Sequence, residues 1–234
     1  MYKGQTSVRG GIEDFLCPFT DMFITQGSHM YPTHMGIMAN DVRGAEPGVR
    51  YPYYAPCTCR CIRVYPESGQ SMWQSVNNVR CANGYIGKVT FMIAHSNSQD
   101  CYVGQVVKQG WQLENMGDKG NATGVHCHIQ TEQGDDTAWY KNSYGIYQFN
   151  NEVDLDDMYF VDNTNIINGS GGNWKKTSDV PAGEVVDQII HKGSHVEIPG
   201  RFEVIDVNIK DDTALVRIDG KDYWIACNPL LEVK

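Results

Sequence analysis

Glycine and proline punctuate this chain so closely that only short runs fit between them, and those runs are β-rich. With 24 Gly, 9 Pro and 13 Tyr in 234 residues, a helical bundle is excluded. Ile86 to His95 is the clearest run: Val89, Phe91, Ile93 and His95 fall on one parity, Thr90, Met92 and Ala94 on the other. Met22 to Thr25, the Cys-rich run through Val64, Val103 to Val107 and Val125 to Glu132 read as further strands. Only Gln70 to Asn78 has a helical cast. The fold class predicted is all-β, with few short helices.

The segment Asn168-Gly169-Ser170-Gly171-Gly172-Asn173 has the composition of a linker. It divides the chain into a domain over 1–162, a connection over 163–180 and a small module over 181–234. Residues 134–162, rich in Asp, Asn and Tyr, fit either a decorated tail of the first domain or a partly ordered connection. Beyond the linker, His195 to Ile198, Phe202 to Val207, Ala214 to Ile218 and Tyr223 to Ile225 read as strands, and Asp219-Gly220 is a strong hairpin turn. Short strands at that spacing predict a small β-barrel.

Lys+Arg 19 against Asp+Glu 28 gives a net charge of −9, and neither part is basic: 1–162 carries −6 and 163–234 carries −3. That argues against nucleic acid and against anionic membranes as partners, since both attract through a basic surface. No run approaches the ~20 apolar residues of a membrane span. Met1 to Ser7 lacks the apolar core of a signal peptide, so the chain is expected to be made and held in a cytoplasm unless something releases it. Reduced thiols are then the default for the eight cysteines, and Cys57, Cys59 and Cys61 would share one face of a strand as small buried hydrophobes.

His126-Cys127-His128 is the sharpest local signal. On a strand, residues i and i+2 share a face, so the two imidazoles stand together and Cys127 points away. Such a pair suits one metal ligand and one acid–base group. His34 lies in Tyr31-Pro32-Thr33-His34-Met35-Gly36, Asp41 follows seven residues later, and His95 closes an apolar strand. His29 is a competing ligand five residues before His34.

An ordered series of segments resembles the lysostaphin-type zinc metallopeptidases, which cleave peptide bonds in bacterial peptidoglycan. The series runs from Phe23-Ile24-Thr25-Gln26-Gly27 through Thr33-His34-Met35-Gly36 and Tyr54-Ala55-Pro56 to Phe91-Met92-Ile93-Ala94-His95. It continues with Val103 to Val107, Met116-Gly117 to Gly120, and Gly124-Val125-His126-Cys127-His128-Ile129-Gln130. The resemblance implies an antiparallel β-sheet groove, Zn2+ held by His34, Asp41 and His128, and catalytic assistance from His126 and His95. The family's usual spacing places its Asp four residues after the first His, where this chain has Met38, a poor zinc ligand. A later Asp, as in some phage lysins, fits Asp41. Residues ~181–234 resemble bacterial SH3-type domains through Lys192-Gly193, Phe202 to Val207 and Tyr223 to Ile225, which implies a cell-wall-binding module with Tyr223 and Trp224 as a contact platform.

The reading predicted is a zinc metalloendopeptidase acting on peptidoglycan as a phage endolysin, held in the host cytoplasm and reaching the wall once a holin opens the membrane. Two rivals stay open at this point. One is a non-catalytic wall-binding or regulatory protein on a degenerate peptidase scaffold. The other is a cysteine amidase or peptidase using Cys57, Cys61 or Cys127 with His126 as base.

Overall fold

The computed structural model describes residues 1–168, 172–182, 195–197, 201–208, 213–218 and 221–226. The chain forms two compact units, Met1–Pro181 and Ala182–Lys234. It is mostly β, as the turn-punctuated sequence requires, and no described helix is long and apolar enough to cross a membrane.

The first unit is built on one eight-stranded sheet. In chain order its strands are β1 (Asp21–Gln26), β2 (Ala39–Arg43), β3 (Cys59–Tyr65), β4 (Gln70–Ser75), β5 (Val89–Ala94), β6 (Val106–Val107), β7 (Cys127–Gln133) and β8 (Asn165–Ile166). Their spatial order is β6-β3-β4-β5-β7-β2-β1-β8. Every pairing is antiparallel except that of β8 with β1.

Strand β5 is buried along its whole length because both faces of the sheet are covered. Val89, Phe91 and Ile93 enter the main core with Phe15 and Tyr159, whose rings stack at 4.5 Å. Met92 and Ala94, of the other parity, pack under Phe149 and Trp139. Residues 134–162 are therefore an ordered part of the first unit. They supply the hairpin Tyr140–Lys141/Tyr147–Gln148 over one face, and the helical turn Leu155–Met158 whose Leu155 and Met158 fill the core on the other.

Two expectations are corrected. Gln70 to Asn78 begins as strand β4, not helix, because it is sandwiched between β3 and β5 with Met72 and Trp73 both buried. The expected connection over 163–180 is, in its described part, bound to the first unit. Asn165 and Ile166 pair with Asp21 and Met22, the Asn168 side chain bonds both the amide and the carbonyl of Ile24, and Thr177 bonds Asp162.

The described cysteines are all free thiols. Cys57, Cys59 and Cys61 lie in the main core, as their shared parity predicted, and burial pushes the Cys57 and Cys59 thiols well up.

In the second unit, β9 (His195–Glu197), β10 (Arg201–Asn208), β11 (Thr213–Ile218) and β12 (Lys221–Ala226) form an antiparallel meander in sequence order. Val204, Ala214 and Val216 are buried within it. Ile218 pairs with Lys221; Asp219 and Gly220, where a hairpin turn is expected, lie outside the described residues. Tyr223 and Trp224 stand on β12 opposite Val216 and Leu215; their side chains lie outside the described part.

Candidate metal centre

Strand register assembles the site. His128 on β7 is paired directly with Asp41 on β2 and, on its other side, with Ala94 on β5. Cys127 is buried in the main core, so alternation sends His126 and His128 to the opposite face. His34 comes from the β1–β2 loop, where its amide bonds the Met30 carbonyl and its own carbonyl accepts from Ile37. That loop folds His34 back over the sheet, fully buried.

Three donor atoms converge. His34 Nε2 lies 3.2 Å from His128 Nδ1 and 3.2 Å from Asp41 Oδ1, and His128 Nδ1 lies 2.8 Å from Asp41 Oδ1. Donors ~2.0–2.1 Å from a tetrahedral zinc stand about 3.3–3.4 Å apart, so this triangle is close to one face of that tetrahedron and tighter along its 2.8 Å edge. Two imidazoles and a carboxylate also match zinc in donor type. Among the described residues, these three are the group that could hold a metal ion. His29 is exposed and lies outside the group; Met38 supplies only its backbone amide, bonded to Glu152.

Each imidazole is held by its other nitrogen. A carbonyl oxygen only accepts, so the Gly27 carbonyl, 2.9 Å from His34 Nδ1, fixes the proton there and leaves Nε2 free as a ligand. His95 Nδ1 donates in the same way to the Lys119 carbonyl at 2.7 Å, and His126 Nδ1 to the Gly124 carbonyl at 2.8 Å. Their Nε2 atoms remain as acceptors. His126 Nε2 is 3.6 Å from Asp41 Oδ1, and the His95 and His126 rings lie 4.6 Å apart.

His95 reaches this group by breaking its strand. Parity alone would send it into the core with Phe91 and Ile93, but its φ of 77° is left-handed and turns the ring towards His126 and His128. The kink is braced by Lys119, whose amide donates to the His95 carbonyl. Gly117 also packs there: a Cβ at that position would run into the His95 carbonyl and Asn97. Gly117→Ala is therefore expected to destabilise the first unit by about 1–3 kcal/mol, the usual cost of overpacking. Thermal melts compare the variant with wild type; an unchanged Tm would contradict the close approach.

Electrostatics follow from the burial. Burial raises the Asp41 carboxyl, but hydrogen bonds and charge from His128 and His34 outweigh it and hold the group far below the usual carboxylate range. Burial lowers His128, yet the Asp41 hydrogen bond and charge bring it above the ordinary histidine value. His95 has no carboxylate hydrogen bond. Burial takes it down to about 4, the neighbouring His126 and His128 also oppose its protonation, and the Lys119 carbonyl gives only partial relief.

The site opens on a groove of about 510 Å³ floored by Met92 and Ala94 and walled by Trp139, Ile146 and Tyr147. A second depression of about 280 Å³, with Thr25, Arg43 and Thr123, lies against the same Asp41 and His126. The centre therefore sits between two arms of a trough. His34 is closed off, whereas Asp41, His126 and His128 keep 12–15% of their side chains exposed towards it.

Sequence reasoning missed Gln130 and Glu152. Gln130 Oε1 accepts from His128 Nε2 at 2.9 Å, and Glu152 Oε1 accepts from Gln130 Nε2 at 2.5 Å. Gln130 shares the parity of His126 and His128, which was a usable signal. Nothing local marks Glu152.

The cysteine alternative finds no geometry here. Cys127 is buried on the face opposite His126, its thiol pushed well up by burial. Cys57 and Cys61 lie in the core and line neither arm of the trough.

No protein-family model matches the chain. The chain is 33% identical over 178 residues to Morphogenesis protein 1 of Bacillus phage B103. That match takes in 76% of this chain and 47% of the phage protein, so the chain spans about half the length of this curated relative. Among solved structures, the catalytic domain of the antimicrobial peptidase lysostaphin from Staphylococcus simulans is 18% identical, with a TM-score of 0.36, over 54% of this chain and 86% of that one. A zinc-containing peptidase from Vibrio cholerae is 21% identical, with a TM-score of 0.34, over 47% of this chain and 32% of that one.

Proposed function

We propose that this chain is a zinc-dependent endopeptidase that hydrolyses peptide bonds in bacterial peptidoglycan. The observation that carries the reading is the His34–Asp41–His128 triangle, close to a tetrahedral face in size, with Asp41 and His128 lining the trough. The ordered sequence resemblance to lysostaphin-type peptidases supports the substrate class. A zinc ion held there supplies Lewis acidity, which polarises a carbonyl and acidifies a water molecule.

The chain's own residues do the rest. His126 and His95, with Nδ1 protons tied to carbonyls, present Nε2 lone pairs to the reacting region. One such group accepts the proton of the attacking water and later returns it to the leaving amine. The other, by donating once protonated, stabilises negative charge developing on the carbonyl oxygen. Burial keeps His95 unprotonated near neutrality, so its Nε2 lone pair is free to accept a hydrogen bond and orient the water. The trough on either side of the centre fits an extended peptide. The C-terminal meander, with Tyr223 and Trp224 on β12, is the SH3-like wall-binding module of this reading.

Two biological settings fit a wall-cutting phage enzyme. One is the endolysin role, in which the protein leaves the host cytoplasm through a holin lesion and lyses the cell. The name of the phage B103 relative favours the other, a place in particle assembly. Mass spectrometry of purified phage particles distinguishes them: the chain is present in the second case and absent in the first.

The reaction itself is tested by turbidity loss of purified cell walls. Chelator is expected to stop lysis, zinc to restore it, and thiol alkylation to leave it unchanged. Lysis blocked by alkylation and untouched by chelator would overturn the zinc reading in favour of a cysteine enzyme. No lysis at all, with no zinc retained, would favour the degenerate scaffold.

A further inference from the structure

We infer that Glu152 is a positioning residue for the metal centre: it fixes the amide of Gln130, and through it the tautomer of His128 that leaves Nδ1 free to bind. The inference rests on the metal reading above and extends it to two residues outside the ligand set.

A glutamine amide has one accepting and one donating end, and which end faces His128 decides where the imidazole proton sits. With Oε1 towards His128, as here at 2.9 Å, Nε2 of the ring carries the proton and Nδ1 is the ligand atom. Rotating the amide by half a turn would present an NH2 group to His128 Nε2. The neutral ring would then carry its proton on Nδ1, the atom that has to bind metal.

Two acceptors prevent that rotation. Gln130 Nε2 donates to Glu152 Oε1 at 2.5 Å and to the Tyr147 carbonyl at 3.0 Å. A rotated amide would set its oxygen against both. Glu152 is itself fixed by two backbone amides, Phe149 to Oε1 at 3.0 Å and Met38 to Oε2 at 2.9 Å. One carboxylate thus serves three donors, and ties the trough wall, the start of β2 and the His128 support together.

The neutral isostere is frustrated at this position. In Glu152→Gln, an amide oxygen facing Gln130 leaves an NH2 group against the Met38 N–H. An oxygen facing Met38 leaves NH2 against both Gln130 and the Phe149 N–H. The compensating exchange is Gln130→Glu with Glu152→Gln. A carboxylate at 130 accepts from His128 Nε2 in either orientation, and the amide at 152 can donate to it. The exchange has a cost in stability, because the Phe149 N–H and the Tyr147 carbonyl then face like groups.

Zinc affinity of the full chain, measured by competition with a chromophoric chelator at pH 7.5, tests this without reference to hydrolysis. Glu152→Gln is expected to bind zinc about 10–100-fold more weakly, the range for the outer partners of metal-ligating histidines. The exchanged double variant is expected to recover to within about threefold of wild type, whatever its Tm. Gln130→Met, which keeps Glu152, provides a second route if Glu152→Gln does not fold, and is expected to show a loss of the same size. Wild-type affinity in Glu152→Gln or in Gln130→Met overturns the inference. A loss in Glu152→Gln that the double variant fails to recover also overturns it, because Glu152 would then be merely structural. A wild-type chain that takes up no zinc overturns the metal reading, and this inference with it.

Discussion

Asp41→Asn is expected to weaken zinc binding about 10²–10³-fold and to abolish wall hydrolysis, with the β-sheet fold retained. Structural zinc sites with four protein ligands bind with roughly 10–16 kcal/mol, about 2.5–4 kcal/mol for each donor. Each 1.4 kcal/mol is a factor of ten. Asparagine keeps the shape of Asp41 but removes the charge that both attracts the cation and pairs with the two imidazoles. Nothing nearby replaces it, since Met38 is occupied only through its backbone and His29 is exposed and outside the group. His29→Ala is accordingly the control, with affinity unchanged. Chelator competition gives the affinities, and circular dichroism verifies the fold. Wild-type zinc binding by Asp41→Asn, or its loss in His29→Ala, would reassign the third ligand.

What the sequence reveals about this centre divides along physical lines. Alternation is a local rule, so the shared face of His126 and His128, the inward Cys127 and the buried thiols of Cys57 and Cys59 are all readable from spacing. Strand register is not local. Asp41 stands seven residues after His34, and only the pairing of β2 with β7 shows that it faces His128. His95 goes further and violates the local rule: a left-handed residue at the end of β5, braced by Lys119 from a distant loop, reverses the face that parity assigns. Glu152 acts across a hairpin 22 residues from Gln130, where no periodicity connects them. The Gly- and Ser-rich composition near residue 170 suggests a boundary there, but the first unit runs on to Pro181, with Asn165, Ile166 and Asn168 held to β1. Composition reports chain flexibility; it does not report an open strand edge able to capture a neighbour.

On the proposed reading, the two imidazoles outside the His34–Asp41–His128 group should separate binding from chemistry. His126→Ala and His95→Ala are each expected to retain zinc within about threefold of wild type while kcat falls about 10²–10⁴-fold, the usual contribution of a positioned acid or base. The pH profile then assigns the acid limb. His95 is held neutral down to about pH 4, so its protonation cannot cause a loss of activity near neutrality. His128 is different: Asp41 raises it above the ordinary value of 6.5, and it must give up its proton before it can bind metal. As pH falls through that raised value, protons displace zinc and activity is lost. One proton exchanged per metal means that a tenfold increase in free zinc should move the acid limb about one pH unit lower. A limb that ignores zinc and disappears in His95→Gln would reverse the assignment. Glu152 and Gln130 enter the same balance, because whatever holds His128 Nε2–H in place also sets how readily Nδ1 exchanges its proton for the metal.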